Sequence, residues 1–144
     1  MQSPSVLVCT VGTSLFAQNL DRLRERAASC DLSPAEDALV SAYTQQDWPR
    51  LATLLADRGS SDALAGAEIN SVQSLIDKDH VPPGCAVYLL HSDSTPGRQI
   101  ATVLEEFFTR QGHCPVESVC ITGLQDQDPR RFRTTGLRNL AREV

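Results

Sequence analysis

Three short apolar runs, each leading into a turn and then into a helical hydrophobic period, predict an α/β fold: a Rossmann-like parallel sheet flanked by helices. The runs are Ser5–Thr10, Cys85–Leu90 and Val116–Thr122. They carry too few polar residues for a sheet face open to water, which suits strands buried on both faces.

The first run meets the turn Val11-Gly12-Thr13-Ser14, after which Phe16, Leu20, Leu23 and Ala27 recur at steps of four, three and four. That spacing lays one apolar stripe along a helix. Ser33-Pro34-Ala35-Glu36 is a capping box with proline at the first helical position, continued inward by Leu39, Val40 and Tyr43. Asp47 is placed to cap a helix carrying Leu51, Leu54 and Leu55, and a further helix opening near Asp62 would bury Ile69, Val72 and Ile76. The prolines of Asp79-His80-Val81-Pro82-Pro83-Gly84 end it.

The second strand runs into His91-Ser92-Asp93-Ser94-Thr95-Pro96-Gly97-Arg98, with Thr95 as the expected N-cap and Pro96 at the first helical position. Ile100, Leu104, Phe107 and Phe108 then face inward. Asp128-Pro129 opens a last helix whose apolar side is Phe132, Leu137, Leu140 and Val144. No internal repeat is visible. Three parallel strands make a small sheet with edges to cover, so the sheet is expected to be completed by dimerisation or by more chain.

The 144 residues are one domain's worth of polypeptide, 41% hydrophobic and 22% charged, which excludes disordered, collagen-like and low-complexity classes. Thirteen basic against eighteen acidic residues give a net charge of −5. The surface as a whole is therefore no polyanion field, and duplex nucleic acid is a poor partner. A small anion held by a local device fits better. No run reaches the roughly 20 apolar residues of a membrane span, and Met1-Gln2-Ser3-Pro4 lacks the basic region of a signal peptide. Five cysteines, none spaced C-x-x-C, argue against a disulfide framework or a thiolate metal site. Cys9 and Cys120 are expected to be buried in strands. The cytoplasm is the expected compartment, with neither cofactor nor metal.

In open α/β sheets ligands bind beyond the carboxyl ends of the strands. Two turns arrive there. In Thr10-Val11-Gly12-Thr13-Ser14, glycine exposes successive N–H groups, two hydroxyls follow and the helix dipole favours negative charge, which together suit a phosphate. Equally, Gly12 merely turns the chain and a hydroxyl caps the helix. The segment is neither G-x-G-x-x-G nor a lysine-bearing phosphate loop, so dinucleotide and NTPase readings lose their main support. The second turn, Ser92 to Arg98, offers hydroxyls, a carboxylate and an arginine able to read ribose and phosphate together. The plainer alternative is a capped turn with Arg98 in water. His91 and Asp93 with Ser14 also suggest a Ser-His-Asp hydrolase, although Ser14 lies outside any G-x-S-x-G. His80 and His113 sit in loops and need no role. Arg130, Arg131, Arg133, Arg138 and Arg142 gather near the end of the chain, in the manner of a solvated helix face.

Val8-Cys9-Thr10-Val11-Gly12-Thr13-Ser14-Leu15 resembles the first-strand motif of CRISPR-associated Rossmann-fold (CARF) domains. Ala67-Glu68-Ile69-Asn70-Ser71, Leu90-His91-Ser92-Asp93-Ser94-Thr95-Pro96-Gly97, Thr122-Gly123-Leu124-Gln125 and Phe132-Arg133-Thr134-Thr135-Gly136-Leu137-Arg138-Asn139-Leu140 resemble further blocks of one branch. That branch includes the ring nucleases of type III CRISPR systems.

The resemblance implies a homodimer that binds cyclic oligoadenylate, most often the tetra-adenylate, across its two-fold axis. It also implies cleavage without metal, a ribose 2′-hydroxyl attacking the neighbouring phosphorus to leave 2′,3′-cyclic phosphate ends. Carried onto this sequence, Thr10, Gly12, Thr13 and Ser14 grip a phosphate and orient the ribose, with Ser14 the catalytic helper. Asp93, Ser94, Thr95, Gly97 and Arg98 line the pocket. Members of the branch continue past the Gly136-Leu137-Arg138-Asn139-Leu140 helix to another strand and a Gly-Gly-x-Lys turn. Residues 1–144 are thus expected to form a single CARF-like domain lacking that strand and its lysine, with Arg98 as the available substitute. The lack favours the other reading: a non-catalytic regulatory or interaction fragment docking a partner through its basic last helix or an exposed sheet edge.

Overall fold

In this computed structural model, which describes residues 5–58, 63–123, 130 and 136–143, the strands β1 (Val6–Thr10), β2 (Ala86–Ser92) and β3 (Val116–Ile121) form one parallel sheet in that order. The fold is α/β and Rossmann-like. β1 pairs with β2 from Val6↔Ala86 to Thr10↔Leu90, and β2 with β3 from Val87↔Val116 to Ser92↔Ile121. A parallel pair cannot be joined by a tight turn. The chain between β1 and β2 is accordingly long and helical, and α5 (Thr95–Arg110) connects β2 to β3 while packing on both.

Pairing puts Leu7, Cys9, Val87, Leu89 and Val116 on one face of the sheet. This face meets the helices: Val87 and Leu89 are fully buried against a core that includes Ile100, Leu104, Phe107 and Phe108 from α5. Leu39 of α2 (Pro34–Thr44) and Leu51 and Leu55 of α3 (Trp48–Arg58) complete it. Burying a side chain such as Phe107 contributes about 2–3 kcal/mol. The predicted inward faces of these helices are the observed ones.

Along β1 the other face is open. Val6 and Val8 are 51% and 56% exposed, so β1 is not buried on both faces as its composition suggested. It is an edge strand of the described sheet, and an apolar run reads the same whether or not anything covers its second side. Cys9 is half-buried and Cys120 exposed, which corrects the expected burial of both.

Capping chemistry explains where helices begin. Ser33 and Glu36 form the reciprocal capping box with Pro34 at the first position, and Arg50 N–H donates to the Asp47 carboxylate ahead of α3 (3.3 Å). The helix expected near Asp62 starts later, as α4 (Ala67–Asp77) with Gly66 at its N-cap. A short 3-10 turn, Ala63–Ala65, precedes it, and Asp62 lies outside the described residues. After β1 the chain winds as a π-helical segment, Ser14–Leu20, before α1 (Asp21–Ala27). Leu15, Phe16, Leu20 and Leu23 are buried there, while Ala27 is exposed. The last element, α6 (Leu137–Glu143), packs on β3, and Asn139 Nδ2 donates to the Thr122 carbonyl (3.0 Å). Asp128, Pro129, Phe132 and Val144, placed in this helix by sequence, lie outside the described residues, as do Arg131 and Arg133. Arg130, Arg138 and Arg142 are exposed.

Candidate functional site

Because β1 and β2 are neighbouring parallel strands, the turns that follow them leave the same end of the sheet. Val11 N–H still donates to Leu90 O (2.8 Å), so the first turn departs while held against β2. Thr10, Gly12, Thr13, Asp93, Thr95 and Arg98 are exposed on this rim, Ser14 and Ser94 are partly exposed, and Gly97 is buried. Thr122, just past β3, holds Asn139 at the same carboxyl end of the sheet.

Within the first turn, two groups expected to meet a ligand are engaged by the protein. Gly12 N–H donates to Glu68 Oε1 at 2.6 Å, and a Cβ on Gly12 would stand 3.2 Å from that oxygen. The absence of a side chain lets the carboxylate reach the backbone. Ser14 Oγ accepts a long bond from Ala67 N–H, the first amide of α4 (3.5 Å). Gly66 has no side chain to cap that helix, so a hydroxyl from the neighbouring turn serves instead. A carboxylate on Gly12 N–H opposes a phosphate at the same amide, both for charge and for occupancy.

The second turn is organised around Ser94, not Thr95. Ser94 is the N-cap of α5, its hydroxyl accepting from Gly97 N–H (3.2 Å) and sharing a 2.7 Å bond with Ser92 Oγ. Thr95 and Pro96 are therefore the first two helical residues. Ser and Thr are both favoured N-caps, Ser the better of the two, and proline is accepted in the first turn, so the sequence separates the two registers only weakly. Pro96 supplies no N–H and the Gly97 N–H is taken, leaving α5 a weaker amide cradle than its length suggests. Arg98 Nε donates to Asp93 O (3.2 Å), which folds the guanidinium back over the turn while its side chain stays exposed.

The hydrolase constellation is not assembled. His91, only 7% exposed, faces the Ser92 carbonyl through Nδ1 (2.8 Å), and Ser14 is turned to α4. His113 has a structural place that its loop context did not suggest. It is buried, with Nδ1 3.0 Å from Cys85 O and its ring edge-on to Phe108.

Glu68 is the residue that sequence reasoning passed over. It is 6% exposed, and its second oxygen, Oε2, is buried without a hydrogen-bond partner among the described residues. The signal was available. Glu68 stands four residues before Val72 and eight before Ile76, on the stripe that packs inward, where a carboxylate is out of place unless paired. A groove of about 440 Å³ runs beside it along the outer edge of β1, lined by Leu7 to Thr10, Gly12, Ala67, Glu68, Ser71, Val72 and Leu75. None of the second turn lines that groove. Burial, and next the Glu68 charge, push the Cys9 thiol above its ordinary pKa, keeping it protonated and unreactive there. Among the described residues no group of three or more His, Cys, Asp or Glu side chains is arranged to hold a metal ion. Nor is any helix among them long and apolar enough to cross a membrane.

A family model described as CRISPR-associated protein (Cas_APE2256) matches residues 63–144, more than half of the chain. The match takes in α4 with Glu68, the second turn and α6, and leaves the first turn outside. No curated protein matches the chain.

Proposed function

The chain belongs to the Cas_APE2256 family of CRISPR-associated proteins, and from that membership and the rim just described we propose that it is a CARF-type sensor that binds cyclic oligoadenylate as a homodimer. The observation that supports this most is the meeting of two hydroxyl-bearing turns at the carboxyl ends of paired parallel strands. This is where open α/β sheets bind ligands, and a two-fold dimer would present each turn twice to a ring of matching symmetry. Tetra-adenylate is the ring of choice.

The reading extends to cleavage of the ring. A ribose 2′-oxygen attacks the adjacent phosphorus, the O2′–P bond forming as the P–O5′ bond breaks. The 2′-proton passes to a base, and the departing O5′ takes up a proton. The protein's work is to hold the 2′-oxygen in line and to stabilise the phosphorane. Arg98 carries the positive charge for the second task. A serine hydroxyl has one proton and two lone pairs, so Ser14, accepting from Ala67 N–H, keeps its proton to offer a phosphate oxygen.

A second reading, a sensor without cleavage, is favoured by the engagement of Gly12 N–H and Ser14 Oγ inside the protein. One experiment separates the two. The purified protein is mixed with cyclic tetra-adenylate, and its thermal stability and the nucleotide products are followed. At a hundredfold excess over Kd, a specific ligand stabilises by about 2.7 kcal/mol. An unmoved transition at saturating ligand overturns binding, and stabilisation with no linear product selects the second reading.

A further inference from the structure

We propose that Glu68 reads a neutral hydrogen-bond donor of the bound ligand, a ribose 2′-hydroxyl or a purine amino group, through its unpartnered Oε2. The inference rests on the cyclic-oligoadenylate reading and adds to it the group that sets ligand chemistry in the groove beside β1.

Three observations carry it. Glu68 is more than nine-tenths buried, yet among the described residues only one of its two oxygens has a partner, the Gly12 N–H. A buried carboxylate oxygen with no donor is costly, and such an orphan marks a place where a partner can be supplied from outside. Asn70 Oδ1 is orphaned too, but Asn70 does not line this groove. Finally, Glu68 lines the groove together with Thr10 and Gly12 of the rim turn.

The chemistry of the groove narrows the ligand group. A phosphate oxygen would be repelled by the carboxylate and would find Gly12 N–H taken. A metal ion would need several further ligands, and no group of three or more such side chains is arranged for one among the described residues. A hydroxyl or amino group needs only one good acceptor, and Oε2 is one.

The division of labour follows. The ring's phosphates lie along the rim between Ser14 and Arg98, and a sugar or base edge enters the groove at Glu68. Glu68→Gln tests this sharply. Its single carbonyl oxygen is needed by Gly12 N–H, so its NH2 is left facing the ligand donor, two donors in opposition.

Affinity is measured for wild type and Glu68→Gln with cyclic tetra-adenylate, its all-2′-deoxy analogue and the cyclic tetra-inosinate, which lacks the amino group. Wild type should bind one analogue at least tenfold more weakly than the parent ring, the deoxy ring identifying the hydroxyl and the inosinate the amino group. Glu68→Gln should bind the parent ring at least tenfold more weakly and lose that discrimination. A merely structural Glu68 would weaken all three rings by the same factor and leave their ratios unchanged, which overturns the inference while the sensor reading stands. Equal affinity of wild type for all three rings overturns it as well, whether or not the variant folds. Failure of every ring to bind wild type removes both.

Discussion

Gly97→Ala is the substitution for which the geometry makes the strongest demand. A Cβ at this position would lie 2.5 Å from Ser92 Oγ, 3.0 Å from Ser94 Oγ and 3.1 Å from the Ser92 carbonyl. Ser92 is only 2% exposed, so its hydroxyl has nowhere to swing. Relief requires the start of α5 to move away from β2, which breaks the Ser94 cap on Gly97 N–H and the Ser92–Ser94 bond. Overpacking of this kind costs about 1–3 kcal/mol and loss of the cap about 1 kcal/mol, together about 2–4 kcal/mol. Unfolding entropy scales with length at about 2 cal/mol/K per residue, so each kcal/mol lowers Tm by roughly 3 °C in a chain of this size. Gly97→Ala should therefore melt about 6–12 °C below wild type by calorimetry. Adding Ser92→Ala removes the closest atom, so the double variant should lose less than the sum of the singles. A Gly97→Ala protein within a degree of wild type, or strictly additive losses, would refute the packing argument.

Further outcomes follow from the same geometry. Burial and the hydrogen bond to Asp21 push Tyr43 from 10.0 up to about 12. The folded state thus holds its phenol proton more tightly than the unfolded chain, and stability should be undiminished below pH 10 and fall as the pH rises toward 12. In Tyr43→Phe that segment of the stability–pH curve should be flatter, and an equal slope would deny the assignment. With a maleimide at neutral pH, Cys30, Cys114 and Cys120 should react in the native protein, whereas Cys9 and Cys85, one half-buried and one buried and both with raised thiol pKa, should wait for denaturant. Fast labelling of all five would contradict the burial pattern. Ser14→Ala should slow ring cleavage more than it weakens ring binding, and an unchanged rate would remove Ser14 from the chemistry.

Much of the architecture was legible in the residues because several local signals agreed. The strand runs, the Ser33–Glu36 capping box and the inward period of α5 each follow from a rule that acts over a few positions. What escaped depends on contacts that local pattern rules do not carry. Val6 and Val8 have the composition of a covered strand, and their exposure is a matter of what packs on the second face of β1. Thr95 gave way to Ser94 as N-cap because Ser94 also meets Ser92 across the turn, a contact that spacing alone does not disclose. At the candidate site, the placement of both turns on one rim followed from strand–turn–helix order. The role of Gly12 did not, since its amide is claimed by a carboxylate 56 residues away. Glu68 was visible only as one letter in a family-like block, although its position on the apolar stripe of α4 marked it as a buried charge in need of a partner.

The central claim is tested most directly by calorimetric titration of cyclic tetra-adenylate into wild-type and Arg98→Ala protein. Saturable binding at one ring per two chains, weakened at least tenfold in Arg98→Ala, is the predicted result. An absence of binding heat at every temperature tried, together with an unmoved melting transition, would contradict it.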